Sequence, residues 1–175
     1  MSLRTFVATV PTAEGRDAIA EATVALRTDL GALGFRAVAA ESYHVTLRFL
    51  GNVEIAEVEA LRALLAPLAE NATSIACRCA RVRGLPNPHR PRVVALELDS
   101  EGALDALGRA VHERLRARFG TADQPFLPHL TVLRSNGTIH LPDALPTLDV
   151  RFELEGIGLY RSDTHPRGAR YTRLG

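Results

Sequence analysis

The 175-residue chain has no lysine, no tryptophan, one methionine and two cysteines. Each shortage removes a class of explanation. Cys77 and Cys79 stand at i, i+2, too constrained for an ordinary structural disulfide, so both are expected to be reduced and wholly or partly buried. No second cysteine pair and no His-Glu-x-x-His stretch accompanies them; without zinc-type ligand spacing, no metal or other cofactor is expected. The chain also lacks a Gly-x-Ser-x-Gly turn, a P-loop and an acidic cluster suited to two metal ions, so it signals neither a nucleophile with its base nor metal-assisted chemistry. No apolar run approaches membrane-spanning length, and the N-terminus has no basic segment leading into a long apolar one. The expectation is a cytoplasmic protein, acting as a monomer, with no membrane partner.

With lysine absent, all 21 cationic side chains are arginine, set against 20 carboxylates. Arginine suits bidentate phosphate binding, but a chain rich in Ala, Arg, Leu and Gly is also what base bias in a coding sequence produces. A formal net charge of +1 excludes a broad polyanion-binding face and leaves room for a local basic rim. Candidates are Arg81, Arg83, Arg90 and Arg92 around the turn Pro86-Asn87-Pro88-His89, and the later group Arg161, Arg167, Arg170 and Arg173. Solvated surface charge is the alternative for each. Length and a 46% apolar content are ordinary for one compact domain spanning residues 1–175.

What is present is a repeat. His44-Val45-Thr46-Leu47 and His129-Leu130-Thr131-Val132 both read His, apolar, Thr, apolar. Two such matches among six histidines are roughly a one-per-cent coincidence, with the false-positive risk of any short motif. In an extended strand, residues i and i+2 share a face, so His44 and Thr46 point one way while Val45, Leu47 and Phe49 point the other. Two such strands set face to face offer two imidazoles and two hydroxyls around one small cavity, a receptor for a phosphate diester in which one His acts as acid and the other as base. The remaining histidines, His89, His112, His140 and His165, fall outside the pattern.

Around the repeat, periodicity predicts a strand over Phe6 to Val10, a cap at Thr12, and one helix carrying Ile19, Thr23, Leu26, Leu30 and Leu33 on its buried stripe. A second helix, with Val58, Leu61, Leu65 and Leu68, follows Gly51-Asn52 and is expected to bend or end at Pro67. Two strands form a hairpin around the Pro-rich turn, and Asp99 or Ser100 caps a third helix bearing Leu104, Leu107, Val111 and Leu115. After the His129 strand come strands over Val150 to Arg161 and Ala169 to Leu174. A strand, a helix and a His-x-Thr strand thus occur in each half. The reading is an α+β fold of two similar lobes of antiparallel sheet, with outer helices around a central cleft and pseudo-two-fold symmetry.

The runs Arg4-Thr5-Phe6-Val7-Ala8, His44 through Gly51, Pro128 through Arg134, and Gly158-Leu159-Tyr160-Arg161-Ser162 with Tyr171 together resemble the 2H phosphoesterases, specifically the RNA 2′,3′-cyclic phosphodiesterases also known as 2′-5′ RNA ligases. The resemblance covers nearly the whole chain. It implies a cleft lined by the two His-x-Thr strands and substrates that are RNA ends or small cyclic-phosphate nucleotides. It further implies metal-independent hydrolysis to a 2′-phosphomonoester, with His44 as acid to the 3′ oxygen and His129 as water-activating base. Thr46 and Thr131 would hold non-bridging oxygens. Arg134 completes a His-x-Thr-x-x-Arg pattern that binds phosphate in some relatives, but regular strand parity turns it away from His129; its role requires the strand to end or twist first. Arg48 shares the face of His44 by the same parity and is the rival phosphate ligand. The family often has a Trp before its first motif, where this chain offers Phe35 and Tyr43. Tyr43 is the candidate to stack a terminal base, and Phe126 is expected in the core. Other readings of the same residues are a 2′-5′ oligonucleotide phosphodiesterase or ligase, an RNA-end or nucleotide-binding module without turnover, and a structural protein whose motifs only cap strands.

Overall fold

The computed structural model describes residues 1–121, 125–137, 139–163, 165 and 169–175. Its elements are β1 (Ser2–Pro11), α1 (Ala13–Ala22), α2 (Val24–Ala32), β2 (Arg36–Ala37), β3 (Val45–Glu54), α3 (Val58–Glu70), β4 (Ile75–Leu85), β5 (Val93–Asp99), α4 (Ala103–Phe119), β6 (His129–Arg134), β7 (Arg151–Asp163) and β8 (Arg170–Arg173).

Every strand pairing among the described residues is antiparallel, and the order across the sheet is β2-β6-β5-β4-β7-β1-β3, with β8 also on β7. That order is symmetric about the β4–β7 pairing: β6, β5 and β4 on one side answer β3, β1 and β7 on the other. Each half runs from a strand through helix to a His-x-Thr strand, β1 to β3 and β5 to β6. The two motif strands, at the outer ends of this series, come back into contact with each other. The expected fold class and internal symmetry hold.

Local chemistry explains most boundaries. Thr12 accepts a hydrogen bond from the Gly15 amide at 3.0 Å and starts α1. The expected cap at Asp99 or Ser100 is displaced: α4 starts from Gly102 (φ 86°) with no side-chain cap, while the Ser100 hydroxyl accepts from the Leu104 amide at 3.0 Å in the turn leading into the helix, which ends at Gly120 with φ 68°. The first predicted helix is in fact two. The buried Thr23 hydroxyl donates to the Ile19 carbonyl at 2.7 Å, the side-chain competition that disturbs a helix interior, and the chain re-enters helix at Val24. Leu33 then falls outside the buried stripe and is exposed. α3, by contrast, runs through Pro67 to Glu70. One missing amide near the end of a helix is tolerable there, and the Pro67 carbonyl accepts from Asn71 Nδ2 at 2.7 Å.

Ile19, Leu26, Leu61, Leu104, Val111 and Leu115 from the helices meet Val45, Leu47, Val94, Leu96, Leu130 and Leu154 from the strands in one core. Cys77 and Cys79 are free thiols buried within it; burial, reinforced by Asp99, pushes the Cys77 thiol up to about 12. Among the described residues, no helix is long and apolar enough to cross a membrane.

Candidate active site

His44, Thr46, His129, Thr131 and Arg134 line a single pocket of about 330 Å³. The two motifs therefore meet, as their face-to-face reading requires. The two halves also fix their imidazoles in the same way. His44 Nδ1 lies 2.8 Å from the Ser42 carbonyl oxygen, and His129 Nδ1 lies 2.8 Å from the Leu127 carbonyl oxygen, each two residues back. A carbonyl only accepts, so each Nδ1 carries the proton of that bond and each Nε2 is left for proton exchange.

His44 is packed between aromatic rings, with Phe6 at 5.0 Å and Tyr171 edge-on at 4.7 Å between centroids. Burial holds its pKa down to about 4; the Ser42 carbonyl opposes that shift, and the nearby charges of Arg134 and His129 add to it. The unliganded pocket therefore keeps His44 neutral near pH 7.

β-Bulges decide which of the flanking residues join the pocket. In β3, Val7 pairs with Arg48 but Ala8 pairs with Thr46, so Leu47 is an extra residue. In β6, Val94 pairs with Leu133 but Ala95 pairs with Thr131, so Val132 is extra. A bulge inverts the alternation beyond it. Leu47 and Arg48 are consequently both buried, as are Val132 and Leu133, and the residues five past each histidine return to the pocket. In β6 that residue is Arg134, which meets the condition its role required; its Nη2 donates to Tyr171 Oη at 3.1 Å. In β3 it is Phe49, which straight parity had turned away.

Two expected ligands do not reach the pocket with a free functional group. Arg48 is 7% exposed. Its guanidinium donates to the carbonyls of His112 (3.1 Å), Phe119 (3.1 Å) and Gly120 (2.8 Å), closing the C-terminus of α4. The bulge at Leu47 is what turned it inward. Tyr43 is 1% exposed; strand alternation that aims His44 at the cleft sends its neighbour into the core, so it cannot stack a base. Phe126 is partly buried against the core, its ring standing over Gly108 on α4 where a larger residue's Cβ would crowd it. Phe6, Phe49 and Tyr171 are pocket residues that sequence reasoning missed. Phe49, 69% exposed, could have been found by extending the internal repeat from four residues to six, where it stands opposite Arg134.

The basic rim divides. Arg81 and Arg83 are both held by Glu97, each at 2.8 Å, and Arg161 pairs with Asp163 at 2.7 Å. Arg173 donates to the Ile157 carbonyl at 3.4 Å, and Arg170 is exposed on β8. Arg90 and Arg92 carry no side-chain hydrogen bond or ion pair among the described residues. Arg167 lies outside the described residues.

The RNA 2′,3′-cyclic phosphodiesterase of Thermus thermophilus is 31% identical over 179 aligned positions, covering 98% of this chain and 88% of that protein. The protein of the same description from Archaeoglobus fulgidus is 35% identical over 104 residues, covering 59% of this chain and 58% of its own length. Among solved structures, TT0787 of Thermus thermophilus superposes with a TM-score of 0.81 at 29% identity, covering 99% of this chain and 96% of that one. E. coli LigT in complex with 3′-AMP shares the fold, with a TM-score of 0.76 at 24% identity over 100% of this chain and 97% of its own. The sequence model of the 2′-5′ RNA ligase superfamily matches residues 15–166, and the chain belongs to that superfamily of 2H phosphoesterases.

Proposed function

We propose that the chain is a metal-independent RNA 2′,3′-cyclic phosphodiesterase that opens the cyclic phosphate to a 2′-phosphomonoester by acid–base catalysis between His44 and His129. The observation that carries this reading is the pair of imidazoles, each fixed by its Nδ1–H on a carbonyl two residues back, in one pocket with two threonine hydroxyls and Arg134. The names of the relatives supply the substrate class.

In the proposed reaction, His129 Nε2 takes a proton from water as the water oxygen bonds to phosphorus. The bond from phosphorus to the 3′ oxygen breaks, and His44 Nε2–H gives its proton to that oxygen, leaving a free 3′ hydroxyl and a 2′-phosphate. Thr46, Thr131 and Arg134 donate to the non-bridging oxygens, whose charge grows in the transition state. The assignment of acid and base follows the family resemblance. Because the free pocket keeps His44 neutral, the acid must gain its proton in the complex, where the bound phosphate's negative charge favours the imidazolium.

Hydrolysis of a nucleoside 2′,3′-cyclic phosphate in excess chelator, with the product assigned by phosphorus NMR, tests this. Turnover to the 2′-phosphate is expected. Turnover that disappears with chelator, or a 3′-phosphate product, contradicts it.

A further inference from the structure

The His-lined pocket is the first of three connected hollows. It shares Thr46, Phe49, Val93, His129 and Arg134 with a larger chamber of about 790 Å³. That chamber is walled by Leu50, Leu85, Phe119, Phe126 and Leu127, and it reaches Arg92. Arg92 also lines a third hollow of about 440 Å³, whose other walls are Arg90, Ser135, Asn136 and Gly137. The order along the path is catalytic pair, apolar chamber, basic corner.

The corner is a built feature of the backbone. The Arg92 amide donates to the Leu85 carbonyl at 2.8 Å, closing the β4–β5 hairpin, and the Arg92 carbonyl accepts from the Ser135 amide at 2.9 Å, fastening that hairpin to the exit of β6. The Ser135 hydroxyl and Gly137 exchange two further hydrogen bonds, 2.8 and 3.0 Å, which fold the opposite wall. On the same hairpin Arg81 and Arg83 share Glu97 as an ion-pair partner, whereas Arg90 and Arg92 have no such partner among the described residues and are exposed. Two uncompensated guanidinium groups on a fixed backbone form a site for an anion with paired oxygens. Val93 pairs with Arg134 in register, and the corner lies one to three residues beyond Arg134, within about 10 Å even were that chain extended. That is the scale of a single nucleotide.

We propose that Arg90 and Arg92 bind the phosphodiester linking the cyclic-phosphate nucleoside to the rest of its strand, so that the site takes an oligoribonucleotide end in preference to a mononucleotide. This rests on the reaction proposed above. The terminal phosphate lies at the histidines, its base enters the apolar chamber against Phe49, and the next phosphate reaches the corner. His112 borders the chamber with Nδ1 2.7 Å from the Gly108 carbonyl, so in the neutral ring Nε2 remains as an acceptor for a base amino group.

The test compares kcat/KM for a nucleoside 2′,3′-cyclic phosphate and for a dinucleotide ending in the same group, in the wild type, the Arg90→Ala/Arg92→Ala variant and Arg81→Ala. The wild type is expected to favour the dinucleotide by about 10–100-fold, the range of charge-assisted hydrogen bonds to one phosphate. The double variant is expected to lose most of that preference, and Arg81→Ala to keep it. A dinucleotide whose upstream linkage is an uncharged methylphosphonate gives a second reading on the wild type alone, independent of how any variant folds; it is expected to react like the mononucleotide. Equal rates on both natural substrates, or an undiminished preference with the uncharged linkage, overturn the inference while leaving the reaction standing. No turnover of either substrate overturns the reaction, and the inference with it.

Discussion

A histidine that must be charged to donate a proton sits, in the unliganded site, where charge is least welcome. Burial beside Phe6 and Tyr171, with Arg134 and His129 near, keeps His44 uncharged until the pH falls to about 4. An anion in the pocket works in the opposite direction, raising the affinity of the ring for a proton. Anion binding is therefore linked to proton uptake, and sulfate, which does not itself titrate in this range, reports it. Between pH 7 and 5 its affinity is expected to rise as the pH falls, by up to about tenfold per unit for one proton taken up. Calorimetry in buffers of different ionisation enthalpy should show that uptake, reduced in His44→Gln. Sulfate affinity that ignores pH, with no proton exchange in the wild type, would remove the acid role from His44.

The first bulge after each motif histidine decides which way its arginine faces. The extra residues Leu47 and Val132 turn Arg48 into the core and Arg134 into the pocket, although both arginines follow their motif Thr within three positions. Substitution should separate them. Arg48→Ala strips the Phe119 and Gly120 carbonyls at the end of α4, and the His112 carbonyl within it, of their shared donor and is expected to cost about 2–3 kcal/mol of stability in a urea melt. Arg134→Ala leaves the core alone and is expected to lower kcat/KM by about 10²-fold with little change in the melt. The reverse pattern would contradict the placing of Arg48 in the core and Arg134 in the pocket. These bulges also mark the limit of what was legible in the sequence. The two-residue period correctly set His44, Thr46, His129 and Thr131 on one face, because those positions precede the bulges. It failed at Arg48 and Phe49, and it left Arg134 conditional, because an extra residue depends on the partner strand and leaves no mark in the local pattern. The split at Thr23 has a similar origin, since period 3.6 counts a threonine on the buried stripe but not the carbonyl its hydroxyl takes.

Across the molecule, one His-x-Thr strand comes from each half, and the halves are joined through β4 and β7. Repetition of strand, helix and motif strand made this symmetry readable from the sequence. Tyr171 and Phe6 were not readable as site residues, because they reach His44 from β8 and β1, distant in sequence, and carry no spacing that announces contact. Neither half alone holds both histidines and both threonine hydroxyls. The central claim is accordingly that the two histidines act as one unit across the seam. The most direct measurement is kcat/KM for a 2′,3′-cyclic phosphate, with chelator present, for the wild type, His44→Ala, His129→Ala and the double variant, each confirmed folded. A unit predicts a loss of at least about 10²-fold in either single variant and a double variant scarcely worse than the singles. Near-wild-type turnover in either single variant, or losses that multiply in the double, would contradict it.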